Sequence, residues 1–73
     1  MRDDEVIGKQ GTVLLRIPGG DAPGKVSVAV RGSRETFIAY ADTAIEASSE
    51  ILVYDSRGER QVDVMMVPWA SRD

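Results

Sequence analysis

The 73-residue chain is predicted to be all-β, five short strands closing into a small barrel. Three observations predict this. Val and Ile together number fourteen against three Leu, a bias toward the half-buried pleated surface of strands. Apolar and polar residues alternate in segment after segment, and each segment is bounded by Gly, Pro, Ser or Asp. The chain is also too short for two cores, and five short strands bury one face at this size only by curling closed.

The first strand is expected over 12–17, with Val13, Leu15 and Ile17 on one side. It ends in Pro18-Gly19-Gly20-Asp21-Ala22-Pro23-Gly24, a dense loop signal. The second runs over 25–31, with Val26, Val28 and Val30 alternating against Ser27 and Ala29. A two-residue turn at Gly32-Ser33 joins it to the third strand, 35–42, since Gly accepts positive φ at the first central position. That turn would pair Val30 with Glu35, Val28 with Phe37 and Val26 with Ala39 on the apolar face. The opposite face would set Lys25 across from Tyr40, Ser27 from Ile38, and Arg31 from Arg34.

The fourth strand is expected over 51–55 and the fifth over 60–67, joined around Ser56-Arg57-Gly58-Glu59. Pairing Asp55 with Arg60, Val53 with Val62 and Ile51 with Val64 gathers the branched residues on one face. Met66 would continue the inward series, and Met65, Leu52 and Trp69 would lie outside. Residues 43–49, through Ala44-Ile45-Glu46-Ala47, form a short helical or irregular link between strands three and four. A five-stranded Greek-key barrel of the OB type carries its extra link there, which favours it over an SH3-like barrel. The expected boundaries are a flexible acidic leader at 1–6, the barrel at 7–68 and a tail at 69–73.

The formal charge of −3 is concentrated in that leader, where Arg2, Asp3, Asp4 and Glu5 sum to −2. The body is close to neutral, which argues against a general polyanion binder. The sequence has no apolar run long enough to span a membrane and no signal-peptide pattern at its start. It contains no Cys and no His, excluding disulfides, thiolate or imidazole metal sites and any triad with a histidine base. Gly19-Gly20-Asp21-Ala22-Pro23-Gly24-Lys25 imitates the start of a phosphate-binding loop. Val26 then stands where Ser or Thr is needed, and a strand follows where a helix N-terminus should hold the phosphate. Asp21, Asp42, Asp55 and Glu59 sit beside turns, without the cleft that paired acid-base carboxylates require. Neither an enzyme nor a cofactor is expected.

The outer face of strands two and three is the candidate binding surface. It gathers Lys25, Arg31, Arg34, Ile38 and Tyr40, on the side by which OB barrels often hold ligands. Oligonucleotide binding calls for several stacking aromatics in a positive groove, and the chain has four aromatics in all. A protein partner therefore fits this face better than a nucleic acid.

Read in order, these segments resemble the C-terminal OB-fold domain of NfeD-like membrane proteins. Ile7-Gly8-Lys9-Gln10-Gly11-Thr12-Val13 is similar to that domain's opening, and Pro23-Gly24-Lys25-Val26-Ser27-Val28 to its second strand. Residues 39–42, Ile45-Glu46-Ala47 and Ile51-Leu52-Val53 resemble its middle, and Val62-Asp63-Val64 leading to Pro68 its close. One position departs: Ser48 stands where the family usually has Gly. If positive φ is needed there, Ser costs on the order of 1 kcal/mol. The resemblance implies the soluble part of a larger bacterial membrane protein, working beside stomatin- or flotillin-like proteins as a non-catalytic interaction module. The alternative is an oligonucleotide-binding module using the same face.

Overall fold

A computed structural model describes residues 4–67. The five expected strands form: β1 Gln10–Leu15, β2 Gly24–Val30, β3 Ser33–Tyr40, β4 Glu50–Gly58 and β5 Gln61–Met66. They close into a barrel in the order β1-β2-β3-β5-β4. β3 and β5 run parallel and the remaining pairs antiparallel, the mixed pattern of an OB-type barrel.

Alternation fills the barrel as expected. Val26, Val28, Phe37 and Ala39 from β2 and β3 meet Ile51, Val53, Val62 and Val64 from β4 and β5, all buried in one core. Where β1 crosses the start of β2, the backbones approach too closely for a side chain. A Cβ built on Gly24 would lie 2.4 Å from the Leu15 carbonyl oxygen, so only glycine fits.

The link after β3 is irregular, not helical, because its polar backbone is spent on β1. Ile45 and Ile17 exchange two main-chain hydrogen bonds of 2.8 and 2.9 Å, and the Ser48 N–H donates to the Val13 carbonyl at 2.8 Å. Those bonds close the barrel's end over two buried isoleucines. Ser48 pays for the geometry with a φ of 75°, the left-handed conformation that glycine adopts more readily.

Both hairpin registers differ from expectation by two residues or more. In β2–β3 the pairs are Val30↔Ser33, Val28↔Glu35, Val26↔Phe37 and Lys25↔Ile38. The turn is Arg31-Gly32, with φ of 55° and 80°, whose twist suits a type I′ hairpin. β3 thereby starts earlier, and Ser33 and Arg34 gain ladder partners. Arg34 faces Ala29, not Arg31. In β4–β5, Val53 pairs with Val64, after which two register shifts bring Asp55 opposite Asp63 and Gly58 opposite Gln61. Asp55 and Arg60 do not pair; Arg60 sits in the turn with Glu59, both at positive φ.

Three further expectations are corrected by packing. Val6 belongs to the core, 2% exposed at the end of a 3-10 turn over Asp4–Val6, although the sequence places it in the leader. Leu15 points outward and is 57% exposed, because a bulge between Val13 and Leu15 breaks the alternation of β1. Met66, expected in the core, reaches the open end of the barrel and is 45% exposed. Trp69 and Pro68 lie outside the described residues.

Candidate interaction surface

The β1 bulge builds one outward row across three strands. Leu15 pairs with Lys25, and Lys25 with Ile38, so an aliphatic side chain flanks the lysine on either side. Leu15, Arg16, Pro23, Gly24, Lys25 and Ile38 line a shallow groove of ≈ 230 Å³. Leu14, the residue before Leu15 at the bulge, is also exposed. Apolar surface of this kind, rimmed by cations, marks a contact site more often than a scattered exposed leucine does.

The five residues expected on this face are not one cluster. Lys25 and Ile38 are directly opposite each other, and Tyr40 lies two residues further along β3. Arg34 lies four residues the other way, and Arg31 sits in the turn beyond it, about 20 Å from Lys25 at the rise of a strand. Each arginine has local work. Arg31 is ion-paired with Glu5, and the Arg34 Nε–H donates to the Ser27 hydroxyl at 3.1 Å.

Tyr40 is half-buried in a small polar assembly. Its hydroxyl donates to Gln61 Oε1 at 3.4 Å, and the Arg57 guanidinium lies 3.9 Å from its ring centroid. Arg57 in turn grips Asp63 with two N–H donors, at 2.8 and 3.1 Å. The hydrogen bond to the carboxylate raises the arginine's pKa further, and the guanidinium over the ring is a fixed cation in any case. The upper face of Tyr40 is thus occupied, and it is not a free platform for a base.

Sequence reasoning missed Leu15 and Arg57. Nothing in the Leu14-Leu15 doublet says that both leucines are left exposed. Arg57 falls in an expected turn, and only the bulges of β4 carry it over Tyr40. Among the described residues there is no grouping of three or more metal-ligating side chains, and no helix is long and apolar enough to cross a membrane.

The five strands form a small OB-type barrel. The family model of the NfeD C-terminal domain matches residues 10–65, and the chain belongs to that family. Among solved structures, it is similar to the soluble domain of the NfeD protein YuaF from Bacillus subtilis, determined in solution. The TM-score is 0.75 at 23% identity, covering 88% of this chain and 76% of that one, a likeness of fold. No curated protein matches the chain significantly.

Proposed function

We propose that this domain is a non-catalytic protein-interaction module, the soluble part of a membrane-associated NfeD protein acting with a stomatin- or flotillin-like partner. The observation that carries the reading is the row Leu15–Lys25–Ile38. It is exposed aliphatic surface on the outer side of the barrel, centred on Lys25 and edged by Arg16, whose guanidinium is paired with Glu46. Lys25, Ile38 and Tyr40 form the centre of the contact, with Arg31 and Arg34 at its hairpin end. Family membership supports the partner class and the attachment to a membrane through another part of the protein.

The test is capture of a stomatin-like protein by the full chain. Ile38→Asp and Arg34→Glu each lower capture, with circular dichroism showing the barrel intact. Undiminished capture by both variants removes the assignment of this face. The competing oligonucleotide reading rests on Lys25, Arg31 and Arg34. Against it stand the pairing of Arg31 with Glu5 and the covered ring of Tyr40. Titration with single-stranded DNA and RNA at low salt separates the two. No binding at about 100 μM, weaker than most non-specific contact, removes the oligonucleotide reading.

A further inference from the structure

A second groove opens on another side of the barrel, where the parallel pairing of β3 with β5 stops. The last pair is Tyr40↔Asp63; beyond it the chain bends away through Asp42 and Thr43. This leaves a cleft of ≈ 460 Å³ between the link and β5. Ala41 and Ile45 form one wall, Met65 and Met66 the other, with Tyr54 of β4 at one side and Asp42 on the rim. Tyr54, Met65 and Met66, which all line this cleft, are 47%, 42% and 45% exposed. Its size falls within the roughly 300–1,000 Å³ of clefts that receive a ligand or an anchoring side chain.

Asp42 lines the cleft. Asp55 follows Tyr54 in the chain and is paired with Asp63 across β4 and β5. Burial first, then Asp63, Asp42 and Asp55, raise the pKa of the Tyr54 hydroxyl above the ordinary 10.0, against a smaller lowering by Arg57. The cation nearby is Arg57, and its guanidinium is already committed to Asp63 and to the ring of Tyr40. Among the described residues Asp42 and Asp55 have no cationic partner, and Asp55 accepts a hydrogen bond from the Ser56 N–H.

We infer that this cleft is a docking site for a protein segment that carries a large apolar side chain flanked by lysine or arginine. The apolar side chain fills the space between Met65 and Ile45, and the flanking cations meet Asp42 and Asp55. Methionine walls suit this role, because unbranched thioether side chains repack around different anchors. The acidic rim repels anionic lipid headgroups and nucleic-acid phosphates. It also disfavours a second copy of a chain whose own charge is −3. The site is independent of the Leu15–Lys25–Ile38 row and stands whether or not that row binds its partner.

The probe is a synthetic peptide, acetyl-Gly-Lys-Arg-Trp-Leu-Arg-Lys-Gly-amide, titrated into the 15N-labelled full chain. A control peptide has glutamate at each basic position. The basic peptide should shift the amides of residues 41–45, 54 and 64–66, and bind at least about tenfold more tightly than its control. Asp42→Lys with Asp55→Lys should reverse that preference, two exposed substitutions that leave the core untouched, and Ile38→Asp should leave binding unchanged. Equal affinity for the two peptides overturns the inference, as do shifts confined to the Lys25 and Ile38 face. Binding that appears only after residues 68–73 are deleted assigns the cleft to the chain's own terminus, and a dimer dissociated by Met65→Glu assigns it to a second copy. Either result also overturns it.

Discussion

The two hairpins of this barrel are built differently. β2–β3 holds seven consecutive pairs in one unbroken register, from Gly24↔Ala39 to Val30↔Ser33. β4–β5 is interrupted twice, between Val53 and Asp55 and again between Ser56 and Gly58. In the regular hairpin, parity alone decides which side chains face the core, so its outer surface is a continuous wall. In the bulged one each interruption adds twist and re-aims the side chains that follow. That bending closes the barrel, but it also sets Asp55 opposite Asp63, a like-charged pair. Arg57, carried over by the same bulges, answers Asp63 from the side. Regular pairing gives this molecule a surface, and irregular pairing gives it a cleft and a polar cluster.

The core does not distinguish the two hairpins, and the largest effect should show it. Ile51→Ala in β4 removes a fully buried side chain and should cost about 2–5 kcal/mol, comparable to the whole stability of a small domain. Urea unfolding measures it; a cost below about 1 kcal/mol would mean that the bulged side is loosely packed.

The glycines separate the hairpins next. Gly24→Ala drives a Cβ into the main chain of β1 and should cost at least roughly 1–3 kcal/mol. Gly58→Ala meets nothing within 4 Å and pays only for a φ of 80°, about 1 kcal/mol. Equal costs for the two would mean that β1 and β2 relax apart without penalty.

Ser48→Gly, at the entrance to the bulged hairpin, should stabilise by about 1 kcal/mol, raising the thermal midpoint by roughly 4–8 °C. An unchanged or lowered midpoint would show that the left-handed φ of 75° is not strained there.

The smallest effect is alkaline. Partial burial, then Asp63, Asp42 and Asp55, raise the pKa of Tyr54 above 10.0 in the folded chain. The unfolded chain releases that proton first. The contribution is therefore fully present below pH 10.0 and is lost as pH rises through the folded value. Ultraviolet titration of a Tyr40→Phe variant isolates Tyr54 and should find its midpoint above 10.0; a midpoint at or below that value would remove the acidic rim.

Much of this was legible in the residues. All five strands were, together with the inward set Val26, Val28, Phe37 and Ala39, because alternation directly encodes which face is buried. Ser48 was legible too, as a residue out of place at a turn. Register was not. Shifting a hairpin by two residues preserves every inward side chain, so periodicity cannot choose between such pairings. The turns chose: Arg31, Glu59 and Arg60 take left-handed conformations that local preference argues against at non-glycine positions. Of the candidate surface, Lys25, Ile38 and Tyr40 could be assigned to one face from parity. Their separation from Arg31 and Arg34 follows from spacing along the strands, and Leu15 joined them through a bulge with no local signature.

Sequence by itself therefore determined the number and order of the strands, most of the strand residues of the core and the absence of histidine and cysteine chemistry. These depend on composition and on a period of two, which are local properties of the chain. Tertiary structure alone decided the burial of Val6, the outward turn of Leu15, the placing of Arg57 over Tyr40 and the cleft beside Met65. Each of these depends on where a barrel must bend to close. That position is set by the fit of all five strands together, and no single segment encodes it.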